Sequence, residues 1–182
     1  MSNNLRTKQS SERTKGNTQL HSDRQHPEVI AAIPCFNEEL FIGSVALKAK
    51  DYVDQVVVID DGSTDKTAKI AEKAGAIVVS HGSNKGKGAA VSSAFEYAKK
   101  VGCKALVLLD GDGQHDPAYI PSLIQPVLEG KADMVVGSRY LQIKSHIPRV
   151  RKLGQRGLTF FTNLGSRVKL TDSQSGLRAF SP

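Results

Sequence analysis

From Val29 onward the chain alternates short, continuously apolar runs with longer stretches in which apolar residues recur at helical spacing. The apolar runs predict strands at 29–33, 55–60, 76–80, 105–109 and 134–137. They are rich in Val, Ile and Leu rather than alternating with polar residues, as strands covered on both faces are. Between them the helical pattern spans 38–50, 64–74, 88–101 and 117–129. Ser63 or Thr64 is the expected N-cap of the second helix with Asp65 in its first turn, and Gly75 and Gly102 stand where helices end. Strand–helix alternation of this kind predicts an α/β domain: a mostly parallel sheet with helices on both faces.

The first residues break this pattern. Positions 1–27 are Ser, Asn, Gln, Thr, Lys and Arg with almost nothing apolar, and are expected to be a disordered polar tail. They contain no apolar core of a secretory signal. The remainder, 28–182, suffices for one domain in a chain of 182 residues. No apolar run approaches the roughly 20 residues of a membrane span. Cys35 and Cys103 sit beside strand segments without metal-ligand spacing and read as small buried thiols.

Charge sharpens the picture by its placement. The net charge is +7, yet residues 139–170 alone carry eight basic side chains and no acidic one. Positions 1–28 carry five basic and three acidic groups, leaving 12 basic against 15 acidic residues elsewhere. A basic patch near one end suits an anionic partner such as a phosphate-bearing substrate or a membrane surface. Within it Leu153, Leu158, Phe161, Leu164 and Val168 fall on one helical face, a pattern that serves either core packing or an anionic membrane surface. Charge alone would also suit nucleic acid. No nucleic-acid motif and few aromatic residues for base stacking accompany it, so no nucleic-acid partner is expected.

In parallel sheets ligands bind beyond the carboxyl ends of the strands, so the residues after each strand carry the chemistry. These are Pro34-Cys35-Phe36-Asn37-Glu38-Glu39, Asp60-Asp61-Gly62-Ser63-Thr64-Asp65, His81 to Gly88, Asp110-Gly111-Asp112-Gly113-Gln114-His115 and Ser138-Arg139-Tyr140. Taken singly, each reads as an ordinary turn, and the third is neither a P-loop nor a dinucleotide fingerprint. Adjacent carboxylates such as Asp110 and Asp112 repel unless a positive group sits between them, and a hard divalent cation shared with substrate phosphates answers that need.

These motifs, together with Asn84-Lys85-Gly86-Lys87-Gly88 and Asp172-Ser173-Gln174-Ser175-Gly176-Leu177-Arg178, resemble the family 2 glycosyltransferases of GT-A (Rossmann-like) fold. Within that family the dolichyl- or polyprenyl-phosphate sugar synthases are most similar. The resemblance covers 29–182 and implies a domain that relatives continue with further helices, so the chain is expected to be incomplete at its C-terminal end. It implies that Pro34, Phe36, Asn37 and Glu38 line a nucleoside pocket and that Asp60 and Asp61 hold the base or ribose. Lys87 would assist the nucleotide. Asp110 and Asp112 would hold Mg²⁺ or Mn²⁺, with Gln114 completing the metal shell. Arg139, with Arg149 or Arg151, would meet the acceptor phosphate, and Arg178 would lie near the diphosphate or acceptor.

The implied activity is inverting transfer of a sugar from a GDP-mannose or UDP-glucose type donor to a lipid phosphate at the cytoplasmic face of a membrane, with a membrane-anchoring partner among the expected contacts. A phosphate monoester is already an anionic nucleophile, so such a reaction needs positioning and charge neutralisation rather than a strong base. A saccharide hydroxyl acceptor would need one, for which Asp172 is the candidate beside its plainer reading as a helix-end cap. A catalytically idle binding or scaffold protein of the same fold is the second alternative, and the intact Asp110 and Asp112 pair weighs against it.

Overall fold

A computed structural model of the chain describes residues 27–137 and 175–182. The expected polar tail, the basic helical stripe and the candidates Arg139, Arg149, Arg151 and Asp172 lie outside the described residues. Six strands form one sheet: β1 (Val29–Cys35), β2 (Gln55–Asp60), β3 (Ile77–Ser80), β4 (Ala105–Leu108), β5 (Met134–Val136) and β6 (Arg178–Phe180). Their order is β3-β2-β1-β4-β6-β5. β3, β2, β1 and β4 pair in parallel, whereas β6 runs antiparallel to both β4 and β5. Four α-helices connect the strands: α1 (Ile42–Ala49), α2 (Thr67–Lys73), α3 (Lys87–Val101) and α4 (Ile120–Leu128), the last preceded by a 3₁₀ turn at Pro117–Tyr119.

The continuous apolar character of β1, β2 and β4 has a simple cause. Successive side chains point to opposite faces, and each face carries its own core. Val29, Ala31, Ile33, Val56, Val58, Val107 and Leu109 pack with α1, α2 and α4. Ile30, Ala32, Val57, Ile59, Leu106 and Leu108 pack instead against Ala90, Ala94 and Ala98 of α3. Those alanines recur every four residues, so α3 lies close against the sheet along one stripe. Each fully buried Ile, Leu or Val contributes about 1.5–3 kcal/mol relative to exposure. The arrangement fixes β1 and β4 at the centre of the sheet, where their carboxyl ends open onto a shared edge.

Several expectations change. β3 and β5 are edge or near-edge strands rather than doubly covered ones, with Ile77 41% and Met134 44% exposed, because the core helices sit over the central strands. Only Arg178 of β6 belongs to a motif, and three residues give too short a pattern to announce a strand. Two helices begin later than their patterns suggest, at Ile42 and Thr67, because the residues before them are used to tie loops together. Neither Ser63 nor Thr64 caps α2. Ser63 Oγ accepts from the Asn37 N–H at 2.9 Å, Thr64 donates its N–H to Asn37 Oδ1 at 2.9 Å, and the Asp65 carboxylate takes the Thr67 N–H at 2.9 Å instead. The fourth helix is split, since Asp116 accepts from the Ala118 N–H and closes a tighter first turn. Gly102 ends α3 in the left-handed conformation at φ 73°, as expected. Both cysteines are free and buried, also as expected.

Candidate active site

The carboxyl ends of β1, β2 and β4 and the loop entering α3 surround one cavity of about 330 Å³. Its lining includes Pro34, Phe36, Glu38, Asp61, Lys87, Asp110 and Asp112, together with Asn84 and Gly86. Four of the five strand-end loops therefore meet, and the fifth lies outside the described residues. Lys87, the first residue of α3, donates to Asp110 Oδ1 at 2.7 Å. Asp112 Oδ1 accepts the Gln114 N–H at 2.9 Å, while the exposed Gln114 lies outside the cavity lining.

Asn37 and Asp60 brace the site without lining it. Asn37 adopts φ 56°, a left-handed conformation that asparagine tolerates better than most side chains. Its side chain binds the β2–α2 loop, as do Glu38, whose N–H donates to Thr67 Oγ1 at 2.8 Å, and Glu39, whose carboxylate accepts the Lys66 N–H at 3.0 Å. Asp60 is 4% exposed, accepts the Ser63 N–H at 3.3 Å and takes the His81 N–H on its backbone carbonyl at 2.8 Å.

A second cavity of about 180 Å³ shares Pro34, Lys87 and Asp110 with the first. Arg178 reaches it from β6, alongside Ser175, Gly176 and the apolar Phe95 and Phe180. Gly176 is required there, because a Cβ atom would overlap the Asp110 carboxylate. Sequence reasoning missed this close approach, and it gave no role to His81. Yet His81 stands immediately after β3, the same strand-end signal that marked the other loops.

The family model described as "Glycosyl transferase family 2" matches residues 30–181. The chain belongs to that family. Among similar proteins, the UDP-N-acetylglucosamine–dolichyl-phosphate N-acetylglucosaminyltransferase of Methanococcus voltae is 36% identical, over 82% of this chain and 67% of its own length. The undecaprenyl-phosphate mannosyltransferase of Micrococcus luteus is 30% identical, over 84% of this chain and 65% of its own. Among solved structures, glucosyl-3-phosphoglycerate synthase of Mycobacterium tuberculosis, in complex with Mn²⁺, UDP-glucose and phosphoglyceric acid, superposes with a TM-score of 0.65 at 28% identity. That match covers 85% of this chain and 57% of the synthase, so the glycosyltransferase described here spans little more than half of its structural relative. The fold is the GT-A arrangement the motifs implied.

The electrostatics of this glycosyltransferase separate its acidic groups into two kinds. Burial, reinforced by Asp112, Asp65 and Asp110, raises the proton affinity of Glu38 above the ordinary carboxylate range. Asp61 goes the other way: the N–H of Lys85, then His81 and the N–H of Gly86, hold its carboxyl below the usual range against the opposing effect of burial. The Cys35 thiol borders the same cavity, but burial foremost pushes it up to about 12, which removes it as a nucleophile at neutral pH.

The acidic end suits a divalent cation. Glu38 registers the charge of Asp112 and of Asp110, the latter paired with Lys87, and carboxylate oxygens are the ligands such ions prefer. Among the described residues no three His, Cys, Asp or Glu side chains converge to hold a metal by themselves.

Proposed function

We propose that this chain is the catalytic region of a metal-dependent, inverting glycosyltransferase that moves a hexose from a nucleotide-sugar of the GDP-mannose or UDP-glucose type to a polyprenyl or dolichyl phosphate. The observation that carries the reading is Asp110 and Asp112 meeting Lys87 in a cavity whose other walls are Phe36, Asp61 and Asn84. One end offers carboxylates and a cation to a diphosphate, and the other an aromatic ring and a fixed acid to a nucleoside. Supporting it, two similar proteins are named for transfer to dolichyl phosphate and undecaprenyl phosphate.

In this reading Phe36, 43% exposed at the end of β1, gives the base an aromatic face. Pro34, Asn37, Glu38 and Asp60 shape the nucleoside pocket directly or through the loops they tie. Asp110 and Asp112 would hold Mg²⁺ or Mn²⁺, which would supply charge neutralisation for the leaving diphosphate. Gln114, outside the cavity lining, would support that site through the N–H it donates to Asp112. Lys87 donates to the same phosphates from the start of α3. Arg178, which lines the second cavity, would meet the acceptor phosphate, a role shared in this reading with Arg139, Arg149 and Arg151. Because the acceptor phosphate is itself the nucleophile, a single displacement inverts the anomeric centre without a general base. Asp172 would serve as that base only for a hydroxyl acceptor. Among the described residues no helix is long and apolar enough to cross a membrane. A peripheral position at the cytoplasmic membrane face, with an anchoring partner, fits a lipid-linked acceptor.

The test combines two variants. Asp112→Ala should abolish Mn²⁺-dependent nucleotide binding measured by calorimetry. Charge reversal at Arg149 and Arg151 should spare that binding while impairing transfer to polyprenyl phosphate. Undiminished metal-dependent binding in the first variant would sink the reading.

A further inference from the structure

Lys87 is a cation in a place that disfavours one. It opens α3, a helix of 15 residues with no acidic side chain in its first turn and no side chain capping its start. The positive end of a helix dipole repels a lysine there unless an anion lies within reach. That anion is Asp110, whose Oδ1 accepts from Lys87 Nζ at 2.7 Å. The Lys87 side chain is 69% exposed, so little packing restrains it and the pair is easily parted.

The surroundings of Asp110 make this contact more than a surface ion pair. Its Oδ2 occupies the space that a side chain on residue 176 would fill, packed against the Gly176 backbone. Lys87 holds the oxygen that remains. Pro34, Lys87 and Asp110 line both cavities, so the pair lies at the boundary between them. A divalent cation arriving alone must displace the ammonium without offering it a new partner. That leaves Lys87 unpaired beside a doubly charged ion at the positive end of α3. A nucleotide diphosphate changes the balance, because its several anionic oxygens give the ammonium a better partner than one carboxylate oxygen.

We propose that Lys87 is a stand-in for the metal, holding Asp110 while the donor site is empty and withdrawing to the diphosphate when a nucleotide binds. Asp110 then becomes fully available as a metal ligand only once a nucleotide has drawn the lysine away. Metal ion and nucleotide are thereby coupled, and the coupling is reciprocal: each tightens the other by the same factor. The inference rests on the cavity being the donor site and adds to that reading the order in which its two ligands settle.

Mn²⁺ binding to the full chain tests it, followed by the paramagnetic resonance signal of the free ion with and without UDP or GDP. Lys87→Met keeps the length of the side chain and removes its charge. It should tighten nucleotide-free Mn²⁺ binding by roughly three- to tenfold. The further tightening that nucleotide brings should shrink by a similar factor. Lys87→Arg keeps a cation against Asp110 and should return both quantities to those of the parent. Lys85→Met removes the same charge from the same loop, but from a residue that lines neither cavity. It should change nucleotide-free Mn²⁺ affinity by less than about twofold. A lysine that serves only the nucleotide would leave nucleotide-free Mn²⁺ binding unchanged in Lys87→Met. That result overturns the inference while leaving the donor site standing. Equal gains in Lys85→Met and Lys87→Met would assign the effect to net charge and overturn it as well. Absence of both Mn²⁺ and nucleotide binding in every chain overturns the donor site itself.

Discussion

Glu38 shows how one side chain reports on its neighbours. Its carboxyl holds a proton more tightly than usual because it is partly buried and faces Asp112, Asp65 and Asp110. The folded state therefore keeps that proton at pH values where the unfolded chain, near its ordinary value of about 4.3, has released it. Stability from this group is fully present below the ordinary range and is lost as pH rises through the raised folded value. Glu38→Gln should accordingly melt higher than the parent at neutral pH in the presence of a chelator. The two melting temperatures should converge below the ordinary carboxylate range. An equal gap at all pH values would place the cause elsewhere. At this scale the sequence was legible in which strand-end residues meet, since Asp110 and Asp112 line one cavity with Lys87 and Asp61. His81 was not legible, because its role is defined by Asp61 and Ser93, which lie 20 and 12 positions away.

The elements were legible where burial decides them and blurred where loops compete with helices. Residues 38–41 and 64–66 carry helical patterns, yet Asn37, Glu39, Ser63 and Asp65 spend their polar groups on bonds between the β1–α1 and β2–α2 loops. Those bonds hold the wall of the cavity together and delay both helices. Gly62 completes the brace with φ 75°; a Cβ there would come within 2.5 Å of the Ser83 backbone in the β3–α3 loop. Gly62→Ala combines a left-handed strain of about 1–2 kcal/mol with a backbone collision. It should destabilise the chain by at least ~2 kcal/mol in urea titration and weaken UDP binding, because the β3–α3 loop supplies Asn84, Gly86 and Lys87 to the cavity. Unchanged nucleotide binding would mean that the two loops are not coupled.

Across the whole molecule, alternating strands and helices announced the α/β architecture, but not the antiparallel β6 between β4 and β5. Three residues carry no readable periodicity, and their place depends on partners far away in sequence. Ala179 is fully buried and faces Val107 on one side and Val135 on the other. Ala179→Glu would bury a charge with no partner and should cost ~3 kcal/mol or more, enough to prevent a cooperative unfolding transition at 37 °C. A normal transition would show that β6 is dispensable to the sheet. The same strand carries Arg178 to the second cavity and follows Gly176, which packs on Asp110, so stability and chemistry are joined at this point.

That insertion also sets an order of events. During synthesis β5 leaves the ribosome well before β6, and among the described residues β6 is its sheet neighbour. Met134–Val136 must therefore wait as an apolar segment with its edges open, a period when wrong strand partners and chaperones compete for it. Closure then joins residues distant along the chain, the slow kind of contact in folding. A cavity edge that depends on β6 is incomplete until that strand has paired with β4, so the order of synthesis delays the site as well as the sheet.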